Sequence, residues 1–386
     1  MARVVHFRQK GAPEVLRIED VTVPPPGSDE VQIRVKAIGI NRAESMFRSG
    51  PYVEDPVFPA RLGYEAAGVV NAVGKNVKSF EVGDAVSVIP PMSITRYGSY
   101  GELANFPAYH VVKHPTSLSW IDAAAIWMQY VTAFGALIDV AKITANDYVL
   151  ITAASSSVGL AAIQIANAVG ATPIAVTRTS AKRKQLQQAG AKHVIASKEE
   201  DLVARVKTIT NGRGATVAFD PVAGPEIETL AEAMAQNGII IEYGALSPDP
   251  TPPPLFPFLV KNLRLHGYQY KEVVRDADKL EQAKRFILDG LAEGRLKPVI
   301  DKVFPFEQIV EVHRYPRVKR SIRQDHRYCL TTRADAHHLR RIQRNRRTAA
   351  PSNSGAPARR REPGNRVGPG TGPDPTGSIQ TPTGPP

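Results

Sequence analysis

The segment that decides the fold covers residues 147–169 and reads DYVLITAASSSVGLAAIQIANAV. Its apolar start predicts a strand, its small residues at 153–157 predict a tight turn, and its amphipathic remainder predicts a helix. A second strand is predicted at residues 173–176. Together these elements predict the first βαβ unit of a dinucleotide-binding fold, in which backbone N–H groups approach a pyrophosphate at the positive end of a helix.

The turn keeps only one glycine, Gly159, of the three in the usual dinucleotide fingerprint. A small-residue turn in an ordinary α/β protein is therefore the alternative interpretation. Small side chains are what a phosphate requires here, because a branch at Cβ would hold it away from the backbone. The residues predicted to bind the cofactor at this turn are Ala154, Ser155, Ser156, Ser157, Val158 and Gly159.

The residues that follow the second strand indicate which dinucleotide is bound. A site that prefers NAD carries an acid about 20 residues after the turn, for the ribose 2′-hydroxyl. This chain carries Arg178, Lys182, Arg183 and Lys184 there instead. Arg and Lys bind a 2′-phosphate that an acid would repel, so the sequence predicts NADP(H). The alternative is a solvated basic helix start. The predicted contacts are Thr177, Arg178, Thr179 and Lys182.

Length and cysteine content set outer limits on the class of protein. The 386 residues are enough for two domains with sizeable cores. The chain has no run near 18 consecutive apolar residues and no signal-peptide pattern at its start, so we expect no membrane span and a cytoplasmic location. The single cysteine, Cys329, excludes a disulfide framework and a cysteine-rich metal site.

The net charge of +12 is concentrated at the C-terminal end. Residues 316–386 contain 15 Lys or Arg and 4 Asp or Glu, whereas residues 1–315 contain 34 basic and 33 acidic residues. The body of the chain is therefore close to neutral. Nucleic acid is not favoured as a partner of that body, although excess positive charge commonly indicates one.

The order of predicted elements defines the fold class. Residues 1–120 read as short strands separated by Gly and Pro, and residues 121–137 read as a helix. Strands and helices then alternate to about residue 270, which predicts an α/β fold with a doubly wound parallel sheet. One more helix is predicted at 278–293, and mixed strand and helix at 299–315.

Several motifs in register resemble those of the medium-chain dehydrogenase/reductase superfamily: GAPEVL (11–16), GINRAE (39–44), GYEAAGVV (63–70), GDAV (83–86), YGSYGE (97–102) and DPVAG (220–224). The resemblance covers residues 1–315. It implies a β-rich GroES-like catalytic domain at 1–125, a Rossmann NADP-binding domain at 126–268 and a return to the catalytic domain at 269–315.

The resemblance also bears on metal content. Zinc members of the superfamily bind their catalytic metal at positions that match Asn41, Tyr64 and Met128, and none of these is a competent zinc ligand. The four-cysteine structural lobe is absent from the sequence. The isolated His110 and His114 are interpreted as structural. The chain therefore resembles the zinc-free branch, which includes quinone oxidoreductases and enone or enoyl reductases.

In that branch, an asparagine matched by Asn41 lies beside the nicotinamide, where its amide can donate a hydrogen bond to an enolate or quinone oxygen. Tyr52 matches a tyrosine near the pocket mouth. The alternatives are a helix N-cap role for Asn41 and ordinary packing for Tyr52. Two departures from the branch are Ser156-Ser157 in place of a glycine pair and Ser197 in place of a tyrosine. The remaining predicted cofactor contacts are Thr132, Val222, Gly244, Ala245 and Leu246.

These features predict an NADPH-dependent reductase of quinones or α,β-unsaturated carbonyls, acting on a small-molecule substrate. A zinc-free alcohol dehydrogenase is one alternative. A nucleotide-binding or RNA-binding protein without turnover is another, with the basic tail as its arm. Residues 263–269 resemble the edge strand through which the family dimerises, so a homodimer is predicted. The proline-rich loop 247–258 is expected to line the substrate entrance or the dimer edge.

The composition changes after Tyr315, where 14 of the 15 basic residues are Arg. Such a segment cannot bury a core, so residues 316–386 are predicted to be disordered. We interpret them as the product of a frameshift. Shifting the frame by one base near codon 316 allows codons for an ending that resembles the family's, Leu-Glu-Ser-Asn-Asp-Gln-Phe-Gly-Lys, followed by a short strand and a stop. Loss of that strand is expected to expose a sheet edge.

Overall fold

The computed structural model describes residues 1–115, 117–318 and 327–331. The N-terminal residues form a mainly antiparallel sheet together with two strands from the C-terminal part, β14 Ile300–Pro305 and β15 Arg327–Thr331. The strand order is β14-β15-β3-β4-β5-β7, with β6 also paired to β3, and β1 and β2 form a separate hairpin. The strands and helix of this first part are β1 Ala2–His6, β2 Arg17–Val21, β3 Glu30–Ile40, α1 Arg42–Ser49, β4 Glu65–Val73, β5 Ala85–Val88, β6 Leu103–Pro107 and β7 Val111–Lys113.

A close approach at Gly39 connects this sheet to the rest of the chain. A Cβ at this position would lie 2.3 Å from the backbone oxygen of Ala124 and 2.6 Å from the Glu65 side chain, so only glycine fits. β3 ends one residue later, and α1 begins at Arg42. The contact therefore places Asn41, between β3 and α1, beside Glu65.

The middle of the chain forms a parallel sheet in the order β10-β9-β8-β11-β12-β13. This is the strand order 3-2-1-4-5-6 of the doubly wound dinucleotide fold, in which the order reverses between the first and fourth strands. The predicted fold class is confirmed. The elements are β8 Tyr148–Ile151, α4 Ser157–Ala168, β9 Thr172–Thr177, α5 Arg183–Gln188, β10 His193–Ala196, α6 Leu202–Ile209, β11 Ala215–Asp220, α7 Ile227–Ala233, β12 Met234–Glu242, α8 Leu255–Lys261 and β13 Arg264–Gly267.

The apolar helical stretch before β8 is interrupted, whereas the sequence pattern predicts one helix at 121–137. It comprises α2 Trp120–Ala123, α3 Trp127–Phe134 and a π-helical turn at Gly135–Val140. Trp120–Val140 is long and apolar enough to cross a membrane, but 83% of its most apolar window is buried inside the structure. That burial is typical of a core helix.

The boundaries of two further elements differ from the sequence pattern. The helical sequence pattern at residues 226–236 continues past Ala233, where α7 ends because β12 begins at Met234 and pairs with Ala215 of β11. Part of the proline-rich segment forms a helix, α8, which the pattern does not predict. Sheet pairing decides the first boundary, and this pairing is not visible as local periodicity.

The C-terminal part of the described chain returns to the first sheet. Its elements are α9 Lys271–Val274, α10 Ala277–Ala292, β14 Ile300–Pro305, α11 Ile309–Val318 and β15 Arg327–Thr331. β15 lies between β14 and β3 and pairs with both. The expectation of an exposed edge at this place is therefore wrong. Ladder hydrogen bonds come from the backbone, so a segment without an apolar strand pattern can still form them.

Two parts of the predicted disordered segment are thus regular structure, the end of α11 and β15. Residues 319–326 and 332–386 lie outside the described residues, so the disorder predicted for them is not tested by the structure. The frameshift interpretation and the domain boundaries at 125, 268 and 315 stay predictions. The parallel sheet, from Tyr148 to Gly267, falls inside the segment predicted to bind the cofactor.

Candidate active site

A pocket of about 900 Å³ opens where the parallel sheet meets the first domain. One end is lined by the start of α4, including Ser156 and Val158. The other end is lined by Asn41 and Tyr52. Ligands of doubly wound sheets bind at the carboxyl ends of the strands, beside the point where the strand order reverses. The pocket occupies that place and continues to the residues predicted to act on a substrate.

The turn after β8 has the geometry expected of a phosphate-binding turn. The hydroxyl of Ser156 caps α4 by accepting a hydrogen bond from the Gly159 N–H at 2.9 Å. A Cβ on Gly159 would lie 2.7 Å from the Ala154 carbonyl oxygen and 2.8 Å from that of Ala153. The tight turn therefore requires this glycine, and it leaves the α4 N-terminus facing the pocket, where N–H groups and the helix dipole favour an anion.

Of the basic residues that follow β9, the structure brings Lys182 to the turn. Its ammonium group donates a 2.7 Å hydrogen bond to the hydroxyl of Ser155. Arg183 instead donates hydrogen bonds to the carboxylate of Glu200 and to the Val194 carbonyl, so it connects α5 to β10 and the segment after it. Arg178 is exposed at the end of β9, with Thr177 and Thr179 half-buried on either side. Of the predicted basic residues, Lys182 is therefore bonded to the turn and Arg178 is free of the Glu200 ion pair that holds Arg183, and their role towards a 2′-phosphate stays a prediction.

Asn41 and Tyr52 line the part of the pocket that is predicted to hold the substrate, here called the substrate end, and the Asn41 amide group is directed at acids. Its Nδ2 donates to Glu65 Oε1 at 3.0 Å and lies 3.5 Å from Glu44 Oε1. Its backbone N–H donates to Glu44 Oε2 at 2.6 Å, so the main chain of Asn41 is bonded at the start of α1. The 3.5 Å distance from Nδ2 to Glu44 is long for a hydrogen bond. For Asn41 to act as the predicted donor, the Nδ2–H that points at Glu44 must turn towards the pocket.

Tyr52 lines the pocket, and its hydroxyl lies 2.5 Å from the hydroxyl of Tyr64. Burial raises the pKa of Tyr52 to about 12. The phenol therefore stays protonated over the physiological range. It can donate its hydrogen bond to a ligand oxygen while it accepts one from Tyr64.

The remaining predicted contacts divide into two groups. Thr132, Gly244, Ala245 and Leu246 line the pocket, and the Thr132 hydroxyl donates to the Met128 carbonyl at 2.6 Å. Ala154 is fully buried behind the turn. Val222 is half-buried and lies beside the pocket-lining Pro221 without lining the pocket itself.

A buried polar network supports the substrate end. Glu44 is fully buried and accepts from the Tyr100 hydroxyl at 2.6 Å and from the Tyr64 N–H at 3.0 Å. Burial raises the pKa of Glu44 to about 7, although those hydrogen bonds act in the opposite direction. His313, another pocket residue, lies 3.3 Å from the Tyr100 hydroxyl. Sequence patterns do not identify this network, since its members are spread from residue 41 to residue 313.

A second acid missed by the sequence analysis is Glu242, at the end of β12. Glu242 is one of the residues that line the pocket, and its backbone is in register with that of Asp220 on the neighbouring strand β11. Asp220 accepts hydrogen bonds from the Ala223 N–H at 2.7 Å and from the hydroxyl of Thr152. Burial, and then the neighbouring Asp220, raise the pKa of Glu242 to about 9.

This raised pKa predicts how stability depends on pH. Because Glu242 has an ordinary carboxyl pKa in the unfolded chain, the folded state retains a proton that the unfolded state loses as pH rises from about 4.5 to about 9. The free energy of unfolding therefore falls across this window. Glu242→Gln should remove that loss and stabilise the protein by about 1–2 kcal/mol at pH 8, after allowance for partial solvent exposure.

Urea unfolding of both proteins at pH 5 and pH 8 checks this prediction. We expect the difference to be small at pH 5 and to grow towards pH 8. Glu228→Gln, in α7, is the matched control for the loss of one exposed carboxylate. A difference that does not change with pH would contradict a raised pKa at Glu242.

The three positions that match zinc ligands surround Glu65. Asn41 bonds Glu65 Oε1, the Met128 N–H donates to Glu65 Oε2 at 3.1 Å, and Tyr64 precedes it in sequence. Within residues 1–115, 117–318 and 327–331, no group of three or more His, Cys, Asp and Glu side chains is arranged to hold a metal. His110 is buried, and burial lowers its pKa to about 4, as is typical of a neutral core histidine.

Comparison with known proteins gives a consistent result. Residues 27–116 match the alcohol dehydrogenase GroES-like domain, and residues 157–287 match the family described as zinc-binding dehydrogenase. The human quinone oxidoreductase is 32% identical over 319 residues, which cover 81% of this chain and 93% of that protein. Quinone oxidoreductase 1 of Escherichia coli is 35% identical over 244 residues, 63% of this chain and 73% of that protein.

Solved structures show the same likeness. The crystal structure of Escherichia coli quinone oxidoreductase complexed with NADPH has a TM-score of 0.76 at 29% identity, and the match covers 86% of this chain and all of that one. The quinone oxidoreductase of Pseudomonas syringae pv. Tomato gives a TM-score of 0.77 with the same identity and coverage.

Proposed function

Since the chain belongs to the quinone oxidoreductase family of medium-chain dehydrogenases/reductases, we propose that it is an NADPH-dependent reductase of quinones or α,β-unsaturated carbonyls that works without zinc. The observation that carries the proposal is the continuity of one pocket from the α4 N-terminus to Asn41 and Tyr52. A dinucleotide held at one end can thereby meet a small substrate at the other.

The residues around the turn after β8 fit the cofactor. Gly159 and the serine turn leave the α4 N-terminus open to a pyrophosphate, and Lys182 lies beside the turn where a 2′-phosphate requires a cation. Bound NADPH supplies the hydride. The chain itself orients the cofactor, encloses the pocket and provides hydrogen-bond donors to the oxygen on which negative charge develops.

Tyr52 is the best-placed donor to that oxygen. Its hydroxyl is protonated, lies on the pocket wall and is oriented by Tyr64. Asn41 is the second candidate, with its amide held by Glu65. Neither residue needs to ionise. The role proposed for the protein is to stabilise charge on a quinone or enolate oxygen, as a metal does in the zinc enzymes.

Replacing Tyr52 with phenylalanine should therefore lower kcat/KM for a quinone about 100- to 1,000-fold, the cost of losing one donor to a developing oxyanion. The Kd for NADPH should change little, because the hydroxyl lies at the substrate end. Steady-state kinetics with a benzoquinone and a fluorescence titration with NADPH measure the two quantities. Tyr109→Phe, at a side chain that is exposed, is the matched control. An unchanged kcat/KM would contradict the donor role.

The alternative of a zinc-free alcohol dehydrogenase is disfavoured by the donor set. Oxidation of an alcohol needs a base or a metal to accept or polarise its hydroxyl. The acids nearest the substrate end, Glu44 and Glu65, are buried and bonded to Asn41 behind the pocket wall. Assays with NADP and simple alcohols, alongside NADPH with quinones and enones, separate the two reactions.

A homodimer is proposed through α8 and β13. β13 is the edge strand of the parallel sheet, and α8 precedes it with four apolar side chains largely exposed. They are Leu255 (61%), Phe256 (76%), Leu259 (67%) and Val260 (73%). Exposed apolar patches of this kind are typical of protein interfaces. Sedimentation of the wild type and of Leu259→Asp tests the proposal.

A cytoplasmic location stays a prediction.

The test of the proposed function is a titration of the full 386-residue chain with NADPH and with NADH, followed by a quinone and enone screen. We expect saturable binding of NADPH, much tighter than that of NADH, and turnover of at least one electron-poor substrate. Binding of neither cofactor would overturn the proposal. Salt-sensitive RNA binding that is lost on deleting residues 332–386 would support the non-catalytic alternative instead.

A further inference from the structure

The loop that follows α1 brings apolar side chains to the opening of the pocket. Pro51, Tyr52 and Val53 all line the pocket. Tyr52 is half-buried, whereas Pro51 is exposed and 63% of Val53 is accessible to solvent. Val53 therefore lies at the opening, one residue from the hydroxyl group that is proposed to bind the substrate oxygen. Neither cofactor binding nor charge stabilisation explains an apolar side chain in this place.

Two further apolar side chains of this loop are exposed. They are Val57, of which 70% is accessible, and Phe58, of which 42% is accessible. The Phe58 ring is fixed by an edge-to-face contact with Phe7, with 5.6 Å between the ring centroids. Single exposed apolar residues are common on protein surfaces, but three of them within residues 53–58, next to a pocket, are typical of a ligand-binding surface.

The acidic side chains of the same loop are paired. Glu54 lies 3.7 Å from the Lys271 ammonium group and accepts a 2.6 Å hydrogen bond from the Ser93 hydroxyl. Asp55 accepts a 2.5 Å hydrogen bond from Lys10. These contacts anchor the loop to other segments of the chain and offset both of its negative charges. The loop therefore presents an apolar and nearly neutral surface that is held in place at the opening.

Apolar side chains continue inside the opening. Ile40 and Met46 line the pocket on either side of Asn41 along the chain, and Met128 lines it from α3. Arg42 also lines the pocket, and its side chain is exposed. An exposed cation attracts an anion only weakly in salt. In contrast, each methylene group that leaves water for an apolar surface favours binding about two- to fourfold, so the surface as a whole favours an apolar ligand.

We propose that the opening beside Val53 holds an apolar tail of the substrate, so that the substrates of this protein are quinones or enones that carry an alkyl or prenyl chain. This inference rests on the proposed reductase function and specifies its substrate class. The carbonyl oxygen of such a molecule bonds to Tyr52 inside the pocket, and its chain leaves the pocket over Val53 towards Val57 and Phe58. Compact quinones lack the part that this surface binds, and anionic enones replace it with a charge.

The contact with the tail predicts how the kinetic constants depend on chain length. Because the chain lies away from the reacting atoms, it stabilises the ground state and the transition state equally. For methyl-, butyl- and octyl-1,4-benzoquinone, KM should therefore fall about twofold for each added methylene group until the chain extends past the loop, while kcat stays within about twofold. A KM that does not change with chain length would overturn the proposal.

Val53→Asp tests the site assigned to the chain. A carboxylate at the opening should lower kcat/KM for octylbenzoquinone about tenfold more than for methylbenzoquinone. Val82→Asp is the matched control, because Val82 is 68% exposed in the turn before β5, and it should leave the ratio of the two kcat/KM values unchanged. Thermal unfolding of both variants confirms that they are folded. Equal losses for the two quinones in Val53→Asp would overturn the proposal, since the loop would then only support Tyr52.

Two further measurements separate the other possible occupants. A benzoquinone whose chain ends in a carboxylate should have a higher KM than one with an uncharged chain of the same length, and a lower KM would overturn the proposal in favour of an anion bound by Arg42. Sedimentation should give the same mass for Val53→Asp as for the wild type, and a smaller mass would show that a second copy covers the loop instead. Absence of turnover with every quinone and enone would overturn the proposed function itself, and this inference with it.

Discussion

Replacing Lys182 with glutamate is expected to weaken NADPH binding about 100-fold, or about 2.7 kcal/mol, and to leave NADH binding nearly unchanged. Lys182 is fixed beside the turn by its 2.7 Å hydrogen bond to Ser155. An acid at that position would face the doubly charged 2′-phosphate that the lysine is placed to bind. Because NADH lacks this phosphate, the substitution should change cofactor preference more than it changes binding of the shared parts of the molecule.

Fluorescence titration with both cofactors measures the change in preference. Lys184→Glu is the matched control, since it makes the same change of charge on an exposed residue two positions further along. It should lower NADPH affinity only slightly, through the long-range field, and less so in 0.15 M salt. Equal losses for NADPH and NADH in Lys182→Glu would show that the lysine supports the turn and does not select the cofactor.

Replacing Gly159 with alanine should have the largest effect on the fold of the site. The added Cβ would lie within 2.8 Å of two backbone oxygens, those of Ala153 and Ala154, and neither can move without shifting the turn. Such overpacking costs about 1–3 kcal/mol of stability. The turn and the α4 N-terminus would move apart, so NADPH affinity should fall at least about 100-fold as the aligned N–H groups are lost.

Thermal unfolding and NADPH titration together check this prediction. Gly27→Ala is a suitable control, because the atoms that its Cβ would meet belong to the flexible Glu30 side chain, at 3.2 Å. That variant should unfold near the wild-type temperature and bind NADPH normally. A Gly159→Ala protein with unchanged stability and affinity would show that the turn relaxes freely and is not a built phosphate site.

The sequence allowed much of the parallel-sheet domain to be predicted, because its signals are local. The strand at Tyr148–Ile151, the turn and the helix at Ser157–Ala168 each show their own periodicity within a few residues. The basic residues after β9 followed from spacing alone. What spacing could not decide was which of them reaches the turn, since Arg183 pairs with Glu200 and Lys182 bonds Ser155.

The substrate end of the site was predicted less completely. Asn41 and Tyr52 were found by resemblance, but the direction of the Asn41 amide depends on Glu65, and the orientation of Tyr52 depends on Tyr64. Both partners come from parts of the chain that pack against the pocket wall. A short motif gives the residue types, but it does not show which of their donor and acceptor groups are already bonded to other side chains in the fold.

The C-terminal end shows a related difference. Composition after Tyr315 predicted disorder, and a local rule could give no other answer, since the segment lacks an apolar pattern. β15 nevertheless pairs with β3 and β14. The free backbone N–H and C=O groups of two neighbouring strands can pair with a segment of almost any side-chain composition. Whether such a place exists depends on the rest of the sheet, so the sequence of the segment alone cannot show it.

Sequence reasoning predicted the class of the fold, the small-residue turn after β8 and the basic residues that favour NADP(H), because each of these signals lies in residues close together along the chain. Only the tertiary structure decided that Glu44, Tyr100 and His313 form one network and that Glu242 meets Asp220 at the pocket. The reason is physical. The protonation and hydrogen bonding of a buried acid are set by burial and by neighbours from distant segments, and folding alone brings these together.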